Sequence, residues 1–254
     1  MFIDTHCHLT DEYAAPDDLA AIITRAADAN VDTLICPSAD PLDIQKAIDL
    51  TKQFDRVFCT VGIHPEFAKA NIDVNVFLPD SIFTNEKILG IGEIGLDYHY
   101  GTKDKNQQIE LFEKQIVIAQ KHNLPVAVHT REAETDTIAI LNSDIRGVMH
   151  CFTSSWDMAR VMLDRGFYFS ASGILTFKNA DELRETFSKI PTDRIVIETD
   201  SPYCAPMPYR GKKCEPFMTV ETAKALAQIK NLHLNDLEII LMQNTRNLYP
   251  KIKL

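Results

Sequence analysis

Apolar and polar positions along the chain follow two alternating rhythms. Short runs rich in β-branched residues recur at 2–6 (FIDTH), 31–37 (VDTLICP), 57–64 (VFCTVGIH), 88–95 (ILGIGEIG), 125–130 (PVAVHT), 147–152 (GVMHCF), 167–173 (FYFSASG) and 194–200 (RIVIETD). Most are apolar without a break, as strands covered on both faces are. Between them the apolar positions change to a helical period. Leu19, Ile22, Ile23 and Ala26 mark one such face, and Ile109, Phe112, Ile116 and Ala119 another, each backed by polar residues. Asn123 and Gly166 stand where helices end, each just before a strand. The stretch 65–87 has mixed polarity, two prolines and no clear period. Strands alternating with helices predict a parallel sheet with helical crossovers, and eight strands close a barrel. The expected fold is α/β, a single (β/α)8 TIM barrel over residues 1–254. A doubly wound open sheet is the alternative, weakened because no GxGxxG loop follows any strand.

Composition narrows this picture. The 254 residues are 45% hydrophobic, enough for one large core, and no glycine- or serine-rich linker, repeat or low-complexity tract marks a boundary. A formal net charge of −10 argues against a basic coat for long nucleic acid. It leaves room for an enzyme whose metals and a local basic cluster handle a few phosphates. Six cysteines (7, 36, 59, 151, 204 and 214) form no C-x-x-C pair and read as reduced thiols. Cys7 and Cys151 adjoin candidate ligands, but alternation turns them to the opposite face, as packing residues. With no basic leader and no apolar run of membrane length, a cytoplasmic protein without membrane contact is expected. No obligate protein partner is evident.

The chemistry lies at the strand ends. His6 and His8 stand one residue apart, so a strand's period of two points both imidazoles to one side, where they can grip a metal ion. Further polar residues end other strands: His64, Glu93, His129, His150 and Asp200. A single polar strand end is an ordinary cap. Several converging on the carboxyl rim of a barrel mark an active site. With His64 set aside for substrate, four histidines and two carboxylates exceed what one tetrahedral ion takes and suit two divalent cations sharing a ligand. Glu93 is then the bridge, with His6, His8 and Asp200 on one ion and His129 and His150 on the other. Bridged ions lower the pKa of a shared water, and Asp200 is the general-base candidate. Ligand type leaves Mg, Mn and Zn open.

Positive groups lie near this rim. Arg131 follows His129 by two residues, and the loop after the eighth strand carries Arg210, Lys212 and Lys213. A short basic run is ordinarily a solvated loop, but barrels often hold phosphate near the loops after strands seven and eight. His64, Arg131, Arg210 and Lys212 are therefore substrate-binding candidates. Ser170, Ser172 and Lys178 could add contacts, although a packed strand end explains them as well. Trp156 opens a helix in a packing or rim role. His99, His122 and His233 read as surface residues.

The blocks FIDTHCHL, GEIGLDY, PVAVHTREA, HCF, SGILTFKNA and ETDSPYCAPMPYRGKKCEP together resemble the TatD family of metal-dependent hydrolases and deoxyribonucleases, in family order over nearly the whole chain. HxH is shared by many barrel hydrolases; GEIGLDY with ETDSP and the RGK loop is specific. The resemblance implies a TIM barrel with two divalent cations, His6, His8, Glu93 and Asp200 on one and Glu93, His129 and His150 on the other. It implies ester hydrolysis, with several members acting as magnesium-dependent exonucleases on single-stranded DNA ends. Thr10, Thr135 (followed by Asp136) and Ser154 depart from the family pattern; none is a proposed ligand.

Three functions follow. The first is a two-metal deoxyribonuclease acting 3′ to 5′ on DNA ends. The second is a hydrolase of a small phosphate ester, an amide or an aminoacyl ester; replacing Arg210 and Lys212 is expected to cripple phosphate substrates and spare neutral ones. The third is a binding protein with a structural metal, distinguished by unfolding on chelation.

Overall fold

The structure, a computed structural model, describes residues 1–10, 16–68, 72–101, 103–141 and 144–253. Eight strands form one parallel sheet in chain order: β1 (Phe2–Asp4), β2 (Val31–Pro37), β3 (Val57–Val61), β4 (Ile88–Asp97), β5 (Val126–Arg131), β6 (Gly147–Met149), β7 (Tyr168–Ala171) and β8 (Ile195–Ile197). The described helices are α1 (Pro16–Asp28), α2 (Ile44–Gln53), α3 (Val74–Phe77), α4 (Lys105–Lys121), α5 (Glu134–Ile140), α6 (Trp156–Asp164), α7 (Asp181–Lys189), α8 (Thr219–Lys230) and α9 (Leu234–Leu248). The (β/α)8 barrel read from the pattern is the fold. Asn123 (φ 51°) and Gly166 (φ 80°) take the left-handed conformation just past α4 and α6. In the stretch 65–87, 3-10 turns at Pro65–Phe67 and Asp80–Thr84 flank α3; residues 69–71 lie outside the described residues. No described helix is long and apolar enough to cross a membrane.

The unbroken apolar runs reflect two apolar layers. Ile3, Ile35, Leu89, Ala127, Val148, Tyr168 and Val196 form an inner cluster with Leu248, Tyr249 and Ile252 at the end of α9. The alternate strand residues pack outward on helix faces such as Leu19, Ile23, Phe112 and Ile116. The interior is thus filled, and function is left to the strands' carboxyl ends.

At that end, hydrogen bonds join the segments following β1 and β8. Thr5 N–H donates to Ile197 O (3.1 Å), Asp200 N–H to His6 O (2.9 Å) and His8 N–H to Ser201 O (2.7 Å). The buried Asp4 carboxylate accepts from Thr199 N–H (2.9 Å) and the Thr199 hydroxyl (2.6 Å). Burial pushes the Asp4 carboxyl up to about 8 despite those bonds. The seam therefore sets His6 and His8 opposite Asp200.

Helix α4 grips two other strand exits. Gln115, fully buried, accepts from Ile63 N–H (2.8 Å) and donates to Ile63 O (3.0 Å), beside His64. Seven residues earlier on the same face, Gln108 makes the equivalent pair with the Asp97 backbone (2.9 Å each). Gln115→Leu leaves one buried donor and one buried acceptor unmet. It is expected to cost about 2–4 kcal/mol, measurable as a lower denaturation midpoint with an unchanged slope.

Candidate metal centre

β1 ends at Asp4, but Cys7 still bridges Ser201 in parallel register, so the extended alternation continues. Both imidazoles turn to one side, their Nε2 atoms 3.3 Å apart. Glu93, on β4 and only 3% exposed, divides its carboxylate between two sets of donors. Oε2 lies 3.4 Å from His6 Nε2 and 3.6 Å from His8 Nε2. Asp200 Oδ1 completes that set, 3.5 Å from His8 Nε2 and 4.0 Å from His6 Nε2. Oε1 lies 3.0 Å from His129 Nδ1 and 3.5 Å from His150 Nε2. His64 Nε2 is also 3.5 Å from Oε1. His64, expected to bind substrate, thus stands as close to Glu93 Oε1 as His150 does.

These spacings fit metal ligation. Four donors bonded at about 2.0–2.1 Å in a tetrahedron stand about 3.3–3.4 Å apart. Within the first set the spacings from each imidazole to the other and to the two carboxylates run from 3.3 to 4.0 Å. Buried imidazole and carboxylate donors aimed at common points suit divalent cations.

Two carboxylates that the sequence reading passed over orient the second set. Asp97 Oδ2 pairs with His129 Nε2 at 3.0 Å, which leaves Nδ1 turned to Glu93. Glu198 Oε1 lies 2.9 Å from His150 Nδ1, outside hydrogen-bond geometry, and accepts from Cys151 N–H at 2.8 Å. The signals were in the motifs: GEIGLDY puts Glu93 and Asp97 four apart on one strand, and ETD puts Glu198 beside Asp200. Such partners fix a ligating histidine's ring and raise its basicity. Asp97→Asn and Glu198→Gln are each expected to weaken binding of divalent metal by about 10–100-fold, read by titration calorimetry.

The electrostatics are those of a closely coupled cluster. Burial alone would raise the Glu93 carboxyl, but His150, His64, His129 and His6 outweigh it and hold it well below the ordinary carboxylate value. Burial alone would also lower His129 and His150. Asp97 and Glu93 bring His129 up to about 9, and Glu198 with Glu93 brings His150 to about 10. For His64 burial prevails, and it falls to about 4. Asp200, despite its burial, is held low chiefly by His8 and His150. Protons and metal compete for the same imidazole nitrogens.

The centre floors a cavity of about 840 Å³. Asp40, Asp43, Glu66, Glu93, Asp97 and Asp200 line it, against Arg131 as the one permanent cation among the described lining residues. So acid-rich a wall repels a phosphate until cations are bound. Arg131 sits beneath the exposed Tyr100 ring, 5.6 Å from its centroid. Arg210 and Lys212, also expected to bind substrate, do not line this cavity. The β8 loop carries Arg210 outward, where its guanidinium stacks 3.8 Å from the Phe177 centroid. Asp136 is held by Tyr98 (2.8 Å) and Lys105 (2.6 Å), away from the cavity. Trp156 is half-buried against the core, with Lys189 over its ring. His99 and His122 pair with surface carboxylates.

One expectation is corrected. Cys151 is not turned away into packing but lines the cavity. β6 ends two residues earlier, at Met149, and Cys151 adopts φ 40°, so strand alternation no longer governs its direction.

Comparison with known proteins bears on the family and the fold. The family model described as TatD related DNase matches residues 3–250. The chain is 35% identical over 253 residues to YabD of Bacillus subtilis, an uncharacterized metal-dependent hydrolase, covering 98% of this chain and 99% of that one. It is 36% identical over 255 residues to YcfH of Escherichia coli K12, described in the same words, covering 98% and 96%. The crystal structure of YjjV, a TatD homolog from Escherichia coli K12, superposes with a TM-score of 0.90 at 25% identity, covering 98% of each chain.

Proposed function

Since the chain belongs to the TatD-related DNase family of metal-dependent hydrolases, we propose that it uses two divalent cations to hydrolyse phosphodiester bonds at DNA ends, in the 3′-to-5′ direction. The observation that carries this reading is the division of Glu93, with Oε2 facing His6 and His8 and Oε1 facing His129 and His150. A carboxylate so placed would hold one ion through each oxygen, His6 and His8 completing one side and His129 and His150 the other. Bound there, divalent cations supply charge neutralisation at the phosphoryl oxygens and acidify the attacking water.

The chain's own groups supply the rest. Asp200, held as a carboxylate at neutral pH, faces the centre through Oδ1 and accepts the proton of the attacking water. The new P–O bond forms as the P–O3′ bond breaks, and the departing O3′ recovers a proton from Asp200. Asp97 holds His129 in orientation, and the Glu198 carboxylate lies against His150 Nδ1. Arg131 receives the flanking phosphate from the cavity wall. Because Glu93, His6 and His150 are all buried, the reacting centre is recessed, which favours a strand end over an internal bond of a duplex. Tyr100 (88% exposed) and Tyr203 (47%), which both line the cavity, offer ring surface to unstacked bases, which favours a single strand.

The test is digestion of single strands labelled at the 3′ or the 5′ end, screened over Mg, Mn and Zn beside a Glu93→Ala control. Early release of 3′-labelled mononucleotide is expected. No release above the control with any metal defeats the proposal. A second reading, hydrolysis of a small phosphate or aminoacyl ester, draws on the position of Arg210 and Lys212 outside the cavity. A strand running over the rim reaches them, whereas a small ester does not. The Arg210→Ala/Lys212→Ala pair is expected to raise KM for a single strand about tenfold, at a kcal/mol or less per lost phosphate contact, and to leave a small phosphate ester unaffected. Equal effects on both substrates favour the second reading.

A further inference from the structure

The second oxygen of Asp200 faces a different set of donors. Oδ1 belongs with His6 and His8, but Oδ2 lies 3.6 Å from Cys204 Sγ. Cys151 Sγ joins this group: its sulfur, that of Cys204 and an Asp200 oxygen all lie within 4.8 Å of one another. Ser172 Oγ is 3.2 Å from Cys151 Sγ on the far side. A tetrahedral ion with one thiolate bond of about 2.3 Å and one carboxylate bond of about 2.1 Å separates sulfur from oxygen by about 3.6 Å.

Three further observations converge here. Seven described non-glycine residues have positive φ, and three of them are Cys151 (40°), Asp200 (59°) and Cys204 (53°). Strained backbone is therefore concentrated at these donors, as it is at ligand sites. Cys151 and Cys204 line the cavity, so an ion from solvent reaches them. The other four cysteines, Cys7, Cys36, Cys59 and Cys214, are buried. Two sulfurs with one carboxylate select a thiophilic cation, whereas the adjoining imidazole and carboxylate donors also accept harder ones.

We propose that Cys151, Cys204 and Asp200 form a separate site for a thiophilic divalent cation, and that an ion there inhibits hydrolysis by occupying Asp200 Oδ2. Binding displaces the two thiol protons and forms two metal–sulfur bonds and one metal–oxygen bond, with no change of oxidation state. An ion so placed draws electron density from the carboxylate that accepts the water's proton. The assignment does not depend on DNA being the substrate.

The experiment is a Cd²⁺ titration of the reduced protein, already loaded with Mg²⁺, followed by ultraviolet thiolate-to-metal charge-transfer absorption. Wild type is compared with Cys151→Ser, Cys204→Ser and the double variant. The expected result is a band saturating at one Cd²⁺ per chain in wild type and absent from the double variant. Each single variant is expected to bind at least about tenfold more weakly, no less than the loss of a supporting contact costs. In parallel, Cd²⁺ inhibition of hydrolysis is expected to need about ten times more ion in Cys204→Ser, each protein being normalised to its own uninhibited rate. A missing band in wild type, or an equal band in the double variant, overturns the site. Unchanged inhibition in Cys204→Ser overturns the inhibitory role and places that effect at the histidine centre. Circular dichroism of each variant confirms that a lost band is not lost folding.

Discussion

Glu93→Gln is expected to reduce hydrolysis by at least about 10³-fold while leaving the barrel folded. The amide keeps the size of the side chain and removes its charge. Glu93 is the group to which His6, His8, His64, His129 and His150 all converge within 3.0 to 3.6 Å. An amide offers one weak oxygen donor in place of two carboxylate oxygens, so it cannot serve both donor sets at once. Metal-supplied stabilisation of developing charge is worth several kcal/mol, and each 1.4 kcal/mol is a factor of ten in rate. Calorimetry should show fewer ions bound per chain, and circular dichroism an unchanged fold. A variant with more than a tenth of wild-type activity at the same metal concentration would show that Glu93 is not the bridge.

Gly95→Ala is expected to be the most damaging single methyl in the sheet, costing roughly 4 kcal/mol or more. Gly95 lies in β4 opposite His129 of β5, at φ 141°. A Cβ there would stand 1.9 Å from His129 O and 2.9 Å from the carbonyl carbon behind it. Backbone cannot move aside as a flexible side chain can, so the two strands would have to part. The parting would carry His129 away from Glu93 and weaken the second donor set as well as the fold. Gly101→Ala is the control: φ is 111° but no described residue beyond its chain neighbours lies within 4 Å, so only conformational strain of about 1–3 kcal/mol is expected. Chemical denaturation of the two variants separates these costs. Equal midpoints would mean that the β4–β5 approach carries no special load.

Much of this was legible before any coordinates. An apolar run needs only its own residues to announce a strand covered on both faces, and each of the eight runs overlaps one. The HxH spacing worked because Cys7 extends the strand-like pairing past the end of β1. Where the backbone left the strand, local rules failed. Cys151, at positive φ, points where alternation does not send it, so its thiol lies in the cavity and not in the packing. Asp97 and Glu198 stayed unread because their importance rests on which imidazole each touches, a matter of neighbouring strands. Arg210 and Lys212 follow the right strand, but the position of a loop's first residue does not say which way its tip folds. Here Phe177 draws Arg210 outside the cavity.

The sequence by itself determined the barrel and the identities of the donors that gather at its rim. Hydrophobic period and residue type act locally, and a parallel eight-stranded sheet carries every strand's carboxyl end to the same side. Only the tertiary structure decided how those donors divide. The β8–β1 seam sets Asp200 against His6 and His8, and Glu93 parts its two oxygens between two histidine sets. Asp200 turns its outer oxygen to a pair of thiols 53 residues apart in the chain (151 and 204). These relations depend on distances of 3 to 4 Å between segments remote in sequence, which chain closure and packing set together and no single segment encodes.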